Sequence, residues 1–435
     1  MDLRFFKRKL SVAFFIVLAV VVYILSLDEK AQAEAVALIE TINNEVSVEN
    51  NGTVYLLGMW TSQQNSPYQV GLERIKNFNM RRSLPNEDAY DALEVSYSEL
   101  WLDEIDPVTT SPMTCHYQDK ECLDFVWRNT SLIPNVLIEY DLYINRLNQL
   151  LKFKTFKVAT KPHFSVPMPF HQASLFSIRL KLLEVIHFTK SKEYSKAAKE
   201  LSELIDLNLN LLENTPDLFT KVLAVIHHQE TLNVATFLLT KTPQDQVEHW
   251  SGAIDMAAKF KTKAASTKRQ MGVEFVAFEN AIQEHPSFSD FYQESSMQLI
   301  PQFMLYKPNM TLNLLYETFM KKVDLYDWNE EMIKLKKALG EENEPPPLQL
   351  TNFIGSTLVT IAAPRYLYIE RDILELFFKN ELYKASYKER LSNESPNFQA
   401  LNIKSPYTGR PFFQKGSRLC VDGANNESEP ICFYY

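Results

Sequence analysis

Apolar and polar positions divide the chain unevenly. Arg4, Lys7, Arg8 and Lys9 precede an apolar run from Leu10 to Leu27, closed by Asp28-Glu29-Lys30. Eighteen residues at about 1.5 Å rise reach about 27 Å, close to the thickness of a bilayer's hydrocarbon core. DEKAQAEAVALIETINNEV follows with Ala, Leu, Ile and Val at helical spacing, which predicts that the membrane helix continues outward as an amphipathic helix to about Asn43. NNGTVYLLGMW reads as an Asn-Gly turn leading into a short packed segment. Residues 62–135 are polar, contain proline and read as irregular. A helical period resumes over residues 137–151, and KPHFSVPMPFH (161–171) is an extended connector. ASLFSIRLKLLEVIHFTKSK and YSKAAKELSELIDLNLNLLENT predict an antiparallel helix pair that breaks at Thr215-Pro216. The next helix, DLFTKVLAVIHHQETLNVATFLLTKT, is apolar nearly all round and so belongs at the centre of the body. Pro243 starts a further helix with Thr242 as N-cap. Helix-length segments also cover 274–284, 309–338 and 364–391, with Pro345-Pro346-Pro347 marking a sharp turn or linker. No 34-residue helical repeat recurs, so an irregular bundle or array is expected.

Glycine is scarce, at 10 of 435 residues. Phosphate cradles, nucleophile elbows and dinucleotide folds need glycines at set spacing, and none of GxGxxG, GxxxxGK[ST] or GxSxG occurs. A net charge of −9 advertises no basic face, so nucleic acid is not an expected partner. The basic flank before Leu10 places the amino terminus in the cytoplasm and residues 28–435 across the membrane. Ala31-Gln32-Ala33 offers the competing reading, a cleaved signal peptide with a mature terminus at Glu34. The length of the apolar run favours the anchor, and either reading exports the body. Four cysteines then suit an oxidising compartment as two disulfides, Cys115 with Cys122 and Cys420 with Cys432. Crossed pairing is the rival connectivity, and a four-thiolate zinc site is a weaker rival because these spacings lack the short zinc knuckle.

Near the carboxyl end, SPYTGRPFFQKGSRLC concentrates turn chemistry in Pro406, Gly409 and Pro411, preceded by Ser405. SRLCVDG and PICFYY are short and β-favourable, so residues 401–435 are expected to form a small disulfide-closed β-hairpin. SPYTGRPF resembles a DP[FY][ST]G[KR]P element near the carboxyl terminus of many uncharacterised bacterial envelope proteins with an N-terminal membrane helix and a helical exported body. YKPNMTLNLLYETF (306–319) gives the same likeness more faintly. Ser405 stands where that element usually has Asp. The resemblance implies a single-pass bacterial inner-membrane protein facing the periplasm. It transfers no catalytic residue.

Candidate chemistry is sparse. VIHHQE brings together His227, His228 and Glu230, but adjacent histidines diverge by about 100° on a helix and cannot share one ion unaided. The ordinary reading puts one in the core and the other at the helix surface. His163 and His171 bracket the proline connector and form a fainter ligand set. Glu294-Ser295 in QESSM superficially suits a lytic transglycosylase, yet reads as solvated helix. Aromatic clusters (FVAFENA, FSDFYQ, LYDW) fit core packing better than a peptide or glycan groove. KFKTKAASTKR (259–269) fits a solvated helix face better than a lipid-binding patch.

The resulting expectation is a mostly α fold. A basic tail (1–9) and transmembrane helix (10–27) precede a juxtamembrane helix with a loop-rich disulfide segment (28–135), an α-helical body (136–400) and the tail hairpin (401–435). The expected function is a membrane-anchored periplasmic binding or scaffold protein, either an envelope-assembly or secretion accessory or an immunity-type inhibitor of an exported toxin. It would need no cofactor or metal, and its partners would be the inner membrane through residues 10–27 and a periplasmic protein. The alternative is a periplasmic hydrolase of cell-wall or lipid substrates. A carboxylate or histidine with a perturbed pKa in a pocket would favour the enzyme, and an exposed apolar groove the binder.

Overall fold

The structure, a computed structural model, describes residues 16–17, 23, 27–82, 111–169, 171–260, 266–284, 306–321, 349, 352–362, 366–392, 410–411, 413–415, 418–422 and 431–434. The fold is mostly helical. Its α-helices among the described residues are α1 (Ala33–Asn44), α2 (Gly52–Gly58), α3 (Pro67–Arg82), α4 (Lys120–Arg128), α5 (Ile133–Glu139), α6 (Asp141–Leu150), α7 (His171–Lys190), α8 (Tyr194–Asn214), α9 (Leu218–Lys241), α10 (Ser251–Ala257), α11 (Lys268–Glu284), α12 (Pro308–Tyr316), α13 (Phe353–Ala362) and α14 (Tyr366–Ser392). Near the carboxyl end, β1 (Phe413–Lys415), β2 (Arg418–Val421) and β3 (Ile431–Tyr434) form an antiparallel sheet in sequence order.

Helix α9 is the axis. It packs against α7, α8, α11 and α14, and β3 also lies against it. Its apolar residues recur on every face, so only enclosure removes them all from water. Asp217 starts it, accepting from the Thr220 amide at 2.7 Å. The main core joins α7, α8 and α9 to residues as distant as Trp60, Tyr117, Val126 and Tyr383. A second core gathers Ala35 and Ile42 of α1, Phe275 of α11, Leu315 of α12 and Leu382 of α14.

Several sequence expectations need correction. Residues 62–135 are not uniformly irregular, because α3 and α4 lie within them. In α3 the turns are held by only a few buried residues, Val70, Gly71, Ile75 and Phe78, among polar neighbours. Gly71 lets α2 and α3 approach closely, since a Cβ there would stand 1.9 Å from the Val54 carbonyl oxygen. Thr242 ends α9 rather than capping a new helix, and its hydroxyl donates back to the Leu238 carbonyl at 2.8 Å. Pro243 then precedes a 3₁₀ turn, Gln244–Trp250, that leads into α10. The helix before Asn43 is not continuous with the apolar run, because residues 27–30 are non-helical. Of that run, Ile16, Val17, Tyr23 and Leu27 are described, and all four are exposed. Among the described residues no helix is long and apolar enough to cross a membrane.

Candidate functional site

Three arrangements assemble polar chemistry. The first pins residues 27–32 to α12. Met310 and Asn309, in the first turn of that helix, donate their amides to the two Asp28 carboxylate oxygens at 3.1 and 2.9 Å. Asp28 therefore acts as an N-cap supplied from 280 residues upstream, placing negative charge on the positive end of the helix dipole. Lys307, 2 % exposed, donates its ammonium to the Leu27 carbonyl. Asn313 donates to the Lys30 carbonyl (2.8 Å) and the Glu29 carboxylate (2.9 Å) and accepts from the Gln32 amide (2.8 Å). These bonds interrupt helical continuity between Leu27 and Ala33, since they recruit the backbone groups that a continuous helix would use.

The second arrangement lies in the core where α7, α9 and the first cysteine loop meet. Arg179 and Glu230 form a buried bidentate pair, Nη2 to Oε1 at 2.6 Å and Nε to Oε2 at 2.9 Å, with side chains 0 % and 1 % exposed. Arg179 also donates to the Thr114 carbonyl (3.0 Å) and to His116 Nδ1 (2.7 Å). Tyr117 donates its hydroxyl to the Met113 carbonyl at 2.8 Å, and burial drives its pKa well up. Cys115 and Cys122 are disulfide-bonded and close the loop that carries His116, Tyr117 and Gln118. Gln118 donates to Gln229 of α9 at 3.1 Å. The bridge thus fixes a lid over the Arg179–Glu230 pair, a structural role in which both Glu230 oxygens accept from the guanidinium.

His227 and His228 correct the sequence reading, since both are buried, at 2 % and 0 % exposure. Their ring nitrogens have no hydrogen-bond partner among the described residues. Burial pulls each pKa down from 6.5 to about 3, and nearby Arg179 adds to the effect at His227. His228 stacks on Phe260 with ring centroids 6.2 Å apart. No cluster of three or more metal-ligating side chains occurs among the described residues.

The third arrangement is a groove that the sequence reading did not anticipate. The proline connector forms one wall, with Pro162, Pro167 and Pro169, while Pro216, Phe219 and Ala277 contribute to the other. The cavity measures about 110 Å³. It adjoins a second depression of about 280 Å³ with which it shares Phe164, Phe219 and Glu274. Phe164 and Met168 are 52 % and 55 % exposed beside it, and Phe164 is seated edge-on against Phe278 at 5.6 Å. Two carboxylates, Asp217 and Glu274, line this largely apolar space together with Thr53, Thr160 and His163. Asp217 caps α9 and Glu274 reaches the same helix start from α11, where Glu274 accepts from the Leu218 amide at 3.4 Å and Asp217 from the Thr220 amide and hydroxyl at 2.7 and 2.8 Å. Burial raises both pKa values, and the negative charge of Asp217 raises that of Glu274 further. The helix-terminal amides offset part of that increase.

Of the other residues singled out in the sequence, Cys420 is fully buried and disulfide-bonded, and its backbone faces Cys432 in the β2–β3 register. Pro411 is exposed, while Ser405, Pro406, Gly409 and Glu294 lie outside the described residues. His163 sits in the groove wall and bonds Ser165 Oγ through Nδ1 at 2.7 Å, and His171 begins α7. Phe275 and Phe278 of FVAFENA are core residues, and FSDFYQ and LYDW lie outside the described residues. Of KFKTKAASTKR, Phe260 is buried, Lys268 and Arg269 open α11, and 261–265 lie outside the described residues. No protein-family model, curated protein or solved structure matches the chain.

Proposed function

We propose that this chain is a single-pass, inner-membrane-anchored periplasmic protein whose body captures a protein partner, as an envelope-assembly or secretion accessory or an immunity-type inhibitor. The observation that carries the binding role is the proline-walled groove, with Phe164 and Met168 more than half uncovered beside it. Prolines hold such a wall extended without chain entropy to lose on association. Anchoring is supported by the 18-residue apolar run behind a basic flank and by the exposure of Ile16, Val17, Tyr23 and Leu27. In this reading the Asp28 cap and the Lys307 and Asn313 bonds hold the body close to the bilayer surface. The Cys115–Cys122 bridge suits an oxidising compartment. A second bridge, Cys420–Cys432, closes the tail sheet beside α9.

The hydrolase alternative rests on one observation, the Asp217–Glu274 pair with raised pKa values in a concave site, the kind of tuning acid–base chemistry uses. A photocrosslinking residue at Phe164 separates the two. A binding protein yields a discrete cross-linked polypeptide in membranes. An enzyme yields none, and the variants Asp217→Asn and Glu274→Gln abolish turnover of a cell-wall or lipid substrate while the fold persists.

A further inference from the structure

The groove holds an imbalance that its own residues do not resolve. Glu274 lies in an apolar wall, yet among the described residues its one hydrogen bond is the long 3.4 Å contact from Leu218 N, and no cation is paired with it. Asp217 adds a second negative charge and is likewise without a salt bridge among the described residues. A carboxylate offers about four acceptor positions, so Glu274, half-buried in the groove wall, keeps most of its capacity unused by the protein. Thr53, 9 % exposed, also lines the groove, and its hydroxyl has no partner among the described residues. The space beside these groups is about 110 Å³, roughly four water volumes, which suits the stem and head of one lysine side chain. The adjoining depression is lined by Leu218, Val222, Phe319 and Ile369 and suits a bulky apolar neighbour.

We infer that the groove is a binding site for a lysine side chain of a partner polypeptide, with the ammonium held between Asp217 and Glu274 and an adjacent apolar residue of the partner seated beyond Phe164. This deepens the proposed binding role and rests on it. Charge complementarity carries the choice of occupant. An ammonium relieves the repulsion between the two carboxylates and has three donors for the unused acceptor positions. A neutral or anionic occupant leaves that repulsion in place. The aliphatic stem lies along the proline wall, as lysine stems do on apolar surfaces.

The test uses the full-length protein in detergent, with ¹³C-methyl methionine labelling and Met168 as the local reporter, assigned through Met168→Leu. Butylammonium is the lysine mimic and 1-butanol its neutral isostere, each titrated at pH 7.5 against detergent-only controls. The expected result is a saturable shift of the Met168 methyl resonance with butylammonium. Butanol and Glu274→Gln should each weaken the apparent affinity about tenfold or more, the usual worth of a charge-assisted contact. Asp217→Asn keeps a competent N-cap and should weaken binding in the same direction, with unchanged circular dichroism. Equal shifts for butanol and butylammonium, or an unaltered affinity in Glu274→Gln, overturn the lysine site. Neither outcome depends on the Phe164 cross-linking result, so the broader binding role stands or falls separately.

Discussion

Replacing Glu230 by Gln tests whether the buried ion pair is structural. In the native fold Arg179 makes a bidentate contact with Glu230 at 2.6 and 2.9 Å, and both side chains are shielded from water. The Thr114 carbonyl and His116 Nδ1 satisfy part of the guanidinium but do not neutralise it. Glu230→Gln therefore leaves a buried cation without a counter-charge, and removing one member of such a pair costs about 3–5 kcal/mol. Against a total stability of about 5–15 kcal/mol, that is a large fraction. Replacing both, as Arg179→Met with Glu230→Leu, removes the uncompensated charge and should return stability to within about 2 kcal/mol of wild type. Urea unfolding followed by far-UV circular dichroism, at fixed detergent and pH 7.5, measures Glu230→Gln together with the cycle of wild type, Arg179→Met, Glu230→Leu and their double variant. A loss below about 1 kcal/mol in Glu230→Gln, or additive losses in the double variant, would refute the reasoning. It follows that Glu230→Ala tests the fold before it tests activity.

Acid should destabilise the protein through α9. His227 and His228 are held neutral with pKa about 3 against 6.5 in water, so below pH 6.5 protons bind preferentially to the unfolded chain. At pH 5 the two rings together remove about 4 kcal/mol, and the loss continues down to about pH 3. Asp217 and Glu274, with raised pKa values, act in the opposite sense and relieve part of it. His227→Gln with His228→Leu should flatten the pH 5–6.5 slope of urea midpoints, and an unchanged slope contradicts the assignment. Gly71→Ala forces a Cβ to within 1.9 Å of the Val54 carbonyl oxygen, and a loss of about 1–3 kcal/mol should appear in the same assay; a neutral result contradicts the close α2–α3 approach. Loss of the Cys115–Cys122 bridge should cost about 2.5 kcal/mol by loop entropy, and non-reducing peptide mapping should recover Cys115–Cys122 and Cys420–Cys432 rather than crossed pairs.

Legibility in the sequence followed how local each cause is. The central position of α9 was readable because its apolar residues leave no polar face. The same pattern should have placed both histidines inside, since a helix without a surface side cannot expose one of them. Helices α3 and α4 were missed because their buried positions are few and set among charges, as with Val70, Ile75 and Phe78. The break after Leu27 depends on α12, which lies some 280 residues away and supplies the groups that hold Asp28 and Lys30. The Arg179–Glu230 pair left a faint trace, because a charge on each of two largely apolar helices calls for a buried counter-charge. The groove left less. Asp217 three residues before Thr220 carries an N-cap signature, but its meeting with Glu274 arises only when α11 packs beside α9.

The most direct test of the central claim, a body tethered outside the cytoplasm, is protease accessibility of a tag placed after Tyr435. Intact spheroplasts are treated with and without external proteinase K, and carbonate extraction is carried out separately on membranes from untreated spheroplasts. A membrane-tethered periplasmic body predicts a carbonate-resistant full-length protein whose tag is digested in intact spheroplasts. A tag protected until the spheroplasts are lysed, or a soluble protein with its mature terminus at Glu34, contradicts it.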